Sequence, residues 1–470
     1  MDYNYDLFVI GAGPGGYEAA IRASQLGLKT AIAERRDVGG TCLNRGCIPT
    51  KTMMHSSDLY AETAHFAELG LNAENITVDI AKVQQRKQDV VTKLRGGIEQ
   101  LLKGNKIEHF RASAMILAPH RVKLTPVTGE EAYEVTSKYI LIATGSVPSF
   151  PPVEGLDTPN VISSDELLDM DTLYDNLIIA GAGVVGMEFA SLYNAWGKDV
   201  TVMELCDKIL PNVDKEISQN LSMILKKRGV KIHTKTMLVK VTPEENGSVR
   251  CWYKDGEEVK SIVGDALLVA SGRAPNTKGL FADDLSIEMN NKKMIIVDSE
   301  FRTSLEDVFA IGDVIPTKQL AHLASAEGLN AVEIMAGHKP AIDLSIVPDA
   351  IYTNPEIACT GLTEAEAKDK GLNISTAKAS MMSNGKSIIS LQDRGFIKIV
   401  YDNDNDCIVG AQLMCARATD IVNEFSTAIV NKLSKAQMQA VIRPHPTFAE
   451  AVTEAVEELD GRSIHTLHRI

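Results

Sequence analysis

Two runs that each read strand, glycine-rich turn, helix, strand, and an alternating strand-and-helix pattern beyond residue 347, predict an α/β protein. Its plan is two Rossmann-like dinucleotide-binding domains, a central segment and a C-terminal α+β domain. At 470 residues the chain is too long for one core, which also calls for several domains.

The first run is YDLFVIGAGPGGYEAAIRASQLGLKTAIAER. Gly11, Gly13 and Gly16 follow an apolar, β-branched stretch, a helix pattern with Ala19, Ala20 and Ala23 comes next, and Glu34 closes the second strand. At this spacing the first glycine permits a tight turn and the second lets a pyrophosphate approach the backbone. The third lets helix and strand pack closely, and the acid accepts a ribose hydroxyl. The second run, DNLIIAGAGVVGMEFASLYNAWGKDVTVMEL, repeats the pattern with Gly181, Gly183, Gly186 and Glu204. In both, the acid follows the first glycine by 23 positions. One such fingerprint also arises from packing alone; two of identical spacing predict two bound dinucleotides.

Glu204 stands where a 2′-phosphate would go, and no arginine follows in VMELCDKILPNVDKE, so the second nucleotide is expected to be NAD rather than NADP. The first fingerprint lies close to a cysteine pair. Flavin exchanges electrons with a thiolate and also transfers hydride, whereas nicotinamide carries hydride only. FAD is therefore assigned to the first site and NAD to the second.

The pair is Cys42 and Cys47 in GGTCLNRGCIPTK, two of seven cysteines. A structural disulfide, half of a metal site and a dithiol that opens and closes during turnover compete for it. The N-terminus MDYNYDLFVIGAG lacks a positively charged leader and no apolar run reaches membrane-spanning length, so a cytoplasmic protein with reduced thiols is expected. For a metal, His55 is the one close further ligand and no second C-x-x-C or H-x-x-x-H exists, so no metal site is expected. A regular helix would set the two α-carbons roughly 7.5 Å apart, beyond the roughly 7 Å reach of an unstrained disulfide. The segment must bend, and Asn44 with Gly46 supplies a permissive backbone. Pro49 suits the first turn of a following helix, which sets Cys47 near a helix N-terminus and Lys51 on its face. These features favour the dithiol. A thiol couple needs a base, and His445 in RPHPTFAE is framed by two prolines, with Glu450 five positions on to orient its ring. An ordinary loop histidine is the competing account.

GGTCLNRGCIPTK, GAGPGG, GAGVVG, ATGS at 143–146, FAIGD at 309–313 and HPTFAE at 445–450 together resemble, in order and over essentially the whole chain, the FAD-dependent pyridine nucleotide-disulfide oxidoreductases. ILPNVDKEI and LAHLASAEG are similar to bacterial members that reoxidise dihydrolipoyl groups of 2-oxoacid dehydrogenase and glycine-cleavage systems. The resemblance implies that Cys42 meets substrate, that Cys47 touches the flavin, and that His445, held by Glu450, serves the dithiol of a partner subunit. A homodimer follows, with a lipoyl-bearing protein as substrate. It further implies that Lys51 pairs with Glu188 beside the flavin, and that Gly40, Thr41, Ala114, Gly145, Asp313 and Ala321 line the FAD site. Gly272 and Val241 would line the NAD site. Arg45 departs from the pattern, standing where an apolar residue is commoner.

The domains expected on this basis are 1–146 for FAD, 147–272 for NAD, a central segment 273–346 that completes the FAD site, and a dimerisation domain 347–470. A net charge of −14 argues against nucleic acid or an anionic membrane as partner. Rival accounts are a glutathione-type reductase, which would want NADP, and a flavin redox sensor that does not turn over. Mercuric reductases carry a terminal cysteine pair, whereas this chain ends GRSIHTLHRI.

Overall fold

A computed structural model describes residues 2–467. The first fingerprint folds as strand Tyr5–Ile10, helix Pro14–Gln25 and strand Thr30–Glu34. Strand Tyr5–Ile10 is the middle of a parallel sheet: Thr30–Glu34 and Glu108–Ala118 lie on one side, Tyr133–Ile142 and Val308–Ala310 on the other. Its residues are buried on both faces, as near-continuous apolar strands require. The last strand comes from the central segment, so the first sheet is completed by chain more than 160 positions downstream of its neighbour. The second fingerprint repeats the arrangement. Asn176–Ala180 is flanked by Asp199–Met203 and Lys231–His233 on one side, and by Ala266–Val269 and Val161–Ile162 on the other, all parallel.

Equal spacing in sequence produces equal crossings in space. Gly11 and Gly181 have φ of +102° and +109°, which only glycine adopts at no steric cost. A Cβ on Gly16 would sit 1.9 Å from the Gly11 carbonyl oxygen, and one on Gly186 would sit 2.0 Å from that of Gly181. The third glycine thus presses helix onto turn in both copies. The first helix also meets helix Ala321–Met335 face to face: a Cβ on Gly15 would lie 2.7 Å from the Ala324 carbonyl oxygen, and one on Gly328 would lie 2.6 Å from that of Gly15.

Two features were not foreseen. An antiparallel three-stranded sheet, Thr236–Pro243, Val249–Asp255 and Glu258–Gly264, branches off within the second half. Strands Ser146–Pro148 and Arg273–Pro275 pair antiparallel where the chain leaves and re-enters the first half. The C-terminal part is a five-stranded antiparallel sheet over Asp349–Ile351, Ile357–Gly361, Cys407–Met414, Phe396–Asp402 and Ile374–Ser380. Helices Ala418–Val430 and Glu450–Glu457 bury Phe425, Val452 and Val456 against it.

Helix Cys47–Glu62 lies where these parts meet. Its Met53 and Met54 belong to one apolar cluster with Phe189 and Trp196 of the second fingerprint region and Ile351 and Phe396 of the C-terminal sheet. Unbranched methionine fits such a three-way seam. Among the described residues, no helix is long and apolar enough to cross a membrane.

The glycine crossings make a stability prediction. Gly186→Ala should lower stability by at least about 2–3 kcal/mol, because backbone must shift to admit the methyl group. Gly183→Ala, at a glycine with no atom within 4 Å of the added carbon, should change it by less than about 1 kcal/mol. Urea unfolding followed by tryptophan fluorescence reads the difference, since both tryptophans, Trp196 and Trp252, lie in this half.

Candidate active site

Helix Gly40–Arg45 carries Cys42, and Cys47 opens the next helix; Gly46 breaks the two. The glycine is needed for space rather than for a left-handed backbone: its φ is −147°, and a Cβ would lie 3.1 Å from the Thr41 carbonyl oxygen and 3.4 Å from the Cys42 α-carbon. The break brings the two sulfurs together as free thiols in hydrogen-bonding contact. The protons are unequally shared. The hydrogen bond to Cys47, then burial, pushes the Cys42 thiol far up. The bond from Cys42, helped by the Lys51 ammonium, holds Cys47 below an ordinary thiol, against burial and the charge of Glu188. Cys47 is thus the more readily ionised sulfur of the reduced pair, as its place at a helix N-terminus also favours.

Lys51, one turn along, donates to Glu188 Oε2 at 2.6 Å across the boundary between the two nucleotide-binding halves. Glu188 is 4% exposed, so its charge is balanced at short range by this ammonium.

The short helix is tied down by side-chain contacts that the sequence does not show. Buried Asn44 donates to the carbonyls of Val38 and Gly40 and accepts from Arg95 at 2.7 Å. Arg95 also pairs with Asp37 at 3.2 Å. Arg45 reaches Asp37 at 3.6 Å and, across the boundary, Asp165 at 3.7 Å. Burial raises the Asp165 carboxyl, and Arg273, Arg45 and Arg36 oppose that effect.

Arg45 and Asp165 line, together with both cysteines, one cavity of about 2100 Å³, well above the roughly 300–1,000 Å³ of a pocket for a single drug-sized ligand. Gly11, Gly13, Gly16, Glu34, Gly40, Thr41, Ala114, Gly145, Asp313 and Ala321 are in its wall, with Cys42, Cys47, Lys51, Glu188 and Gly272. The wall fits FAD on two counts. A Cβ on Gly40 would come within 2.6 Å of the Gly13 α-carbon, so the two glycines form a cradle that side chains would fill. Helix Pro14–Gln25 opens into it with no side chain capping its first N–H groups, which leaves them to an anion such as a pyrophosphate. Asp313 accepts from the Ser146 hydroxyl at 2.6 Å, and Ser146 in turn accepts from Arg273 Nε at 2.7 Å, a chain legible only in three dimensions.

Gly181, Gly183, Gly186 and Glu204 lie outside that wall, around the second turn, whose helix Val184–Ala195 likewise starts without a side-chain cap. Glu204 is fixed by two backbone N–H groups, Ala182 at 2.6 Å and Cys206 at 2.7 Å. Val241 as a whole is 2% exposed, in a core cluster with Ile178, Met203 and Cys251, and its N–H donates to the Glu154 carbonyl at 2.9 Å.

His445 and Glu450 stand apart from the cavity, on the C-terminal domain. His445 Nδ1 lies 2.8 Å from Glu450 Oε1, and Glu450 Oε2 accepts the Thr447 N–H at 2.8 Å. Burial works against the Glu450 charge, but that N–H and the imidazole outweigh it and keep the carboxyl below its usual range. With Nδ1 committed, Nε2 is the nitrogen free to accept a proton. The His445–Pro446 peptide is cis, and the side chain is 78% exposed. Within one chain the imidazole and the dithiol are not brought together. Among the described residues no group of three or more His, Cys, Asp or Glu is placed to hold a metal ion.

The sequence profile of pyridine nucleotide-disulphide oxidoreductases matches residues 5–328, and that of their dimerisation domain matches residues 347–456. A dihydrolipoyl dehydrogenase of Bacillus subtilis is 40% identical, covering 99% of this chain and 100% of the relative. The mitochondrial dihydrolipoyl dehydrogenase of Pisum sativum is 37% identical, over 98% and 92%. Among solved structures, LpdA from Mycobacterium tuberculosis superposes with a TM-score of 0.90 at 25% identity, over 96% of this chain and 99% of that one. The HOCl-induced flavoprotein disulfide reductase RclA from Escherichia coli gives a TM-score of 0.86 at 26% identity, over 96% and 99%.

The Arg45 anchor is open to measurement. Arg45→Met should cost about 1–2 kcal/mol by leaving Asp165 half-buried with weaker compensation. Arg45→Met with Asp165→Leu should cost less than the two single changes added together, by about 1 kcal/mol, in a double-mutant cycle of unfolding free energies.

Proposed function

The chain belongs to the pyridine nucleotide-disulphide oxidoreductase family, and we propose that it oxidises protein-bound dihydrolipoamide to lipoamide while NAD is reduced to NADH. The observation that supports this most is the bend that sets Cys42 and Cys47 together one turn before the Lys51–Glu188 pair, in the wall of a cavity well above single-ligand size. The Gly13–Gly40 cradle, Glu34 and Asp313 would hold FAD, and the second turn with Glu204 would hold NAD. Bound FAD supplies a two-electron acceptor for the dithiol and a hydride donor for NAD.

The protein's own groups carry the thiol chemistry. His445 Nε2 takes a proton from one substrate thiol, and Glu450 stabilises the imidazolium that results. The substrate thiolate attacks Cys42 Sγ of the oxidised pair, and the Cys42–Cys47 bond breaks with Cys47 leaving as a thiolate supported by Lys51. The second substrate thiol attacks the substrate sulfur of the mixed disulfide, closing lipoamide and expelling Cys42, which takes up a proton. Two thiols have become one disulfide, and one disulfide has become a thiol, a thiolate and a released proton.

Since His445 is exposed and apart from its own dithiol, the working unit is two copies, each lending its imidazole to the other; the dimerisation profile at residues 347–456 supports this. The partners are lipoyl-bearing proteins of 2-oxoacid dehydrogenase or glycine-cleavage systems, in the cytoplasm. The NADP-dependent alternative is disfavoured by Glu204, whose charge is fixed in the backbone at the second turn.

Three measurements test this. Cys47→Ser should abolish lipoamide turnover and the long-wavelength thiolate–flavin absorption, yet leave reduction of the flavin by NADH in place; full activity would end the dithiol account. His445→Gln should slow the lipoamide half-reaction by about 10²–10⁴-fold, the usual worth of a general base, in stopped-flow assays. Steady-state rates with NAD should exceed those with NADP, and a reversed preference would point to the glutathione-type alternative.

A further inference from the structure

The Lys51–Glu188 pair is closed on its third side by the C-terminal domain. Lys51 Nζ lies 4.7 Å from the ring centre of Tyr352, directly after strand Asp349–Ile351. The Tyr352 N–H donates at 3.0 Å to Glu188 Oε1, the oxygen that Lys51 does not take. One residue thus contacts both members of one ion pair, and it also stands in the cavity wall. The charged and titratable groups around it are few: Cys42, Lys51 and Glu188 face Cys47, while Glu356 and the Thr419 hydroxyl face the tyrosine.

An ammonium bonded to a nearly buried carboxylate is drawn toward that carboxylate, and its field at a neighbouring sulfur depends on where it comes to rest. The negative face of an aromatic ring attracts it from another direction. We propose that Tyr352 is a positioning residue, whose ring holds the Lys51 ammonium where it supports the Cys47 thiolate instead of letting it be spent on Glu188 alone. The N–H contact to Glu188 would be made by any residue but proline at this position; the ring over the Lys51 ammonium is the contact that requires an aromatic side chain. The inference rests on the dithiol account of Cys42 and Cys47.

The test titrates the Cys47 thiolate by its ultraviolet absorbance in the flavin-loaded Cys42→Ser protein, with Cys42→Ser/Cys47→Ser as the blank. Adding Tyr352→Leu, or Tyr352→Met if the leucine variant does not fold, should raise the titration midpoint by about half a pH unit. Tyr352→Phe, which keeps the ring, should leave the midpoint where it was. An unmoved midpoint in the ringless variant, or an equal rise in the phenylalanine variant, overturns the role of the ring and leaves the dithiol account standing. Absence of the long-wavelength thiolate–flavin absorption from the reduced, flavin-loaded wild-type protein would remove the dithiol account and this inference with it.

Discussion

A sulfur that is to remain negative away from bulk water needs a fixed cation within reach, and that cation needs a counter-ion of its own. The whole middle of the molecule answers to this requirement. Lys51 rides on the helix that Cys47 begins, and Glu188 rides on the helix of the second glycine turn, so satisfying one charge joins two domains. A half-buried ion pair adds little stability by itself, because the desolvation cost offsets the attraction. The seam is held by packing instead, with Met53 and Met54 wedged among Phe189, Trp196, Ile351 and Phe396.

The same turn is used twice to different ends. In the first copy the second glycine meets Gly40, which begins the helix of Cys42, so nucleotide cradle and dithiol share one surface. In the second copy no such neighbour exists within 4 Å of Gly183, and the acid at the end of the unit is locked by backbone donors. One copy is built into the redox centre; the other stays a plain nucleotide turn.

What could be read from the chain was whatever is encoded locally. Both glycine runs, the bend between the cysteines, the helix after Pro49 and the closeness of His445 to Glu450 depend on residues within a few positions of each other. What could not be read depends on partners brought together by the fold. Asn44 is held by Arg95, 51 positions away, and Ser146 by Arg273, 127 positions away. The Gly15–Gly328 crossing gives no warning in either helix alone. Arg45 showed itself as an anomaly beside the dithiol, but its targets, Asp37 and Asp165, emerge only once the domain boundary exists. The family resemblance puts Val241 at the NAD site; strand register turns its side chain into the core.

The exposed imidazole of His445 has a consequence for genetics as well as for chemistry. If each centre is assembled from the sulfurs of one copy and the base of another, a chain lacking Cys42 and a chain lacking His445 are both inert when paired with themselves. Mixed together, they form some pairs that contain one intact centre and one doubly broken one. Two null alleles would then complement each other in a single cell, whereas either defective chain paired with a healthy one leaves one centre intact, so a lone defective allele would lower output only in proportion to its dose.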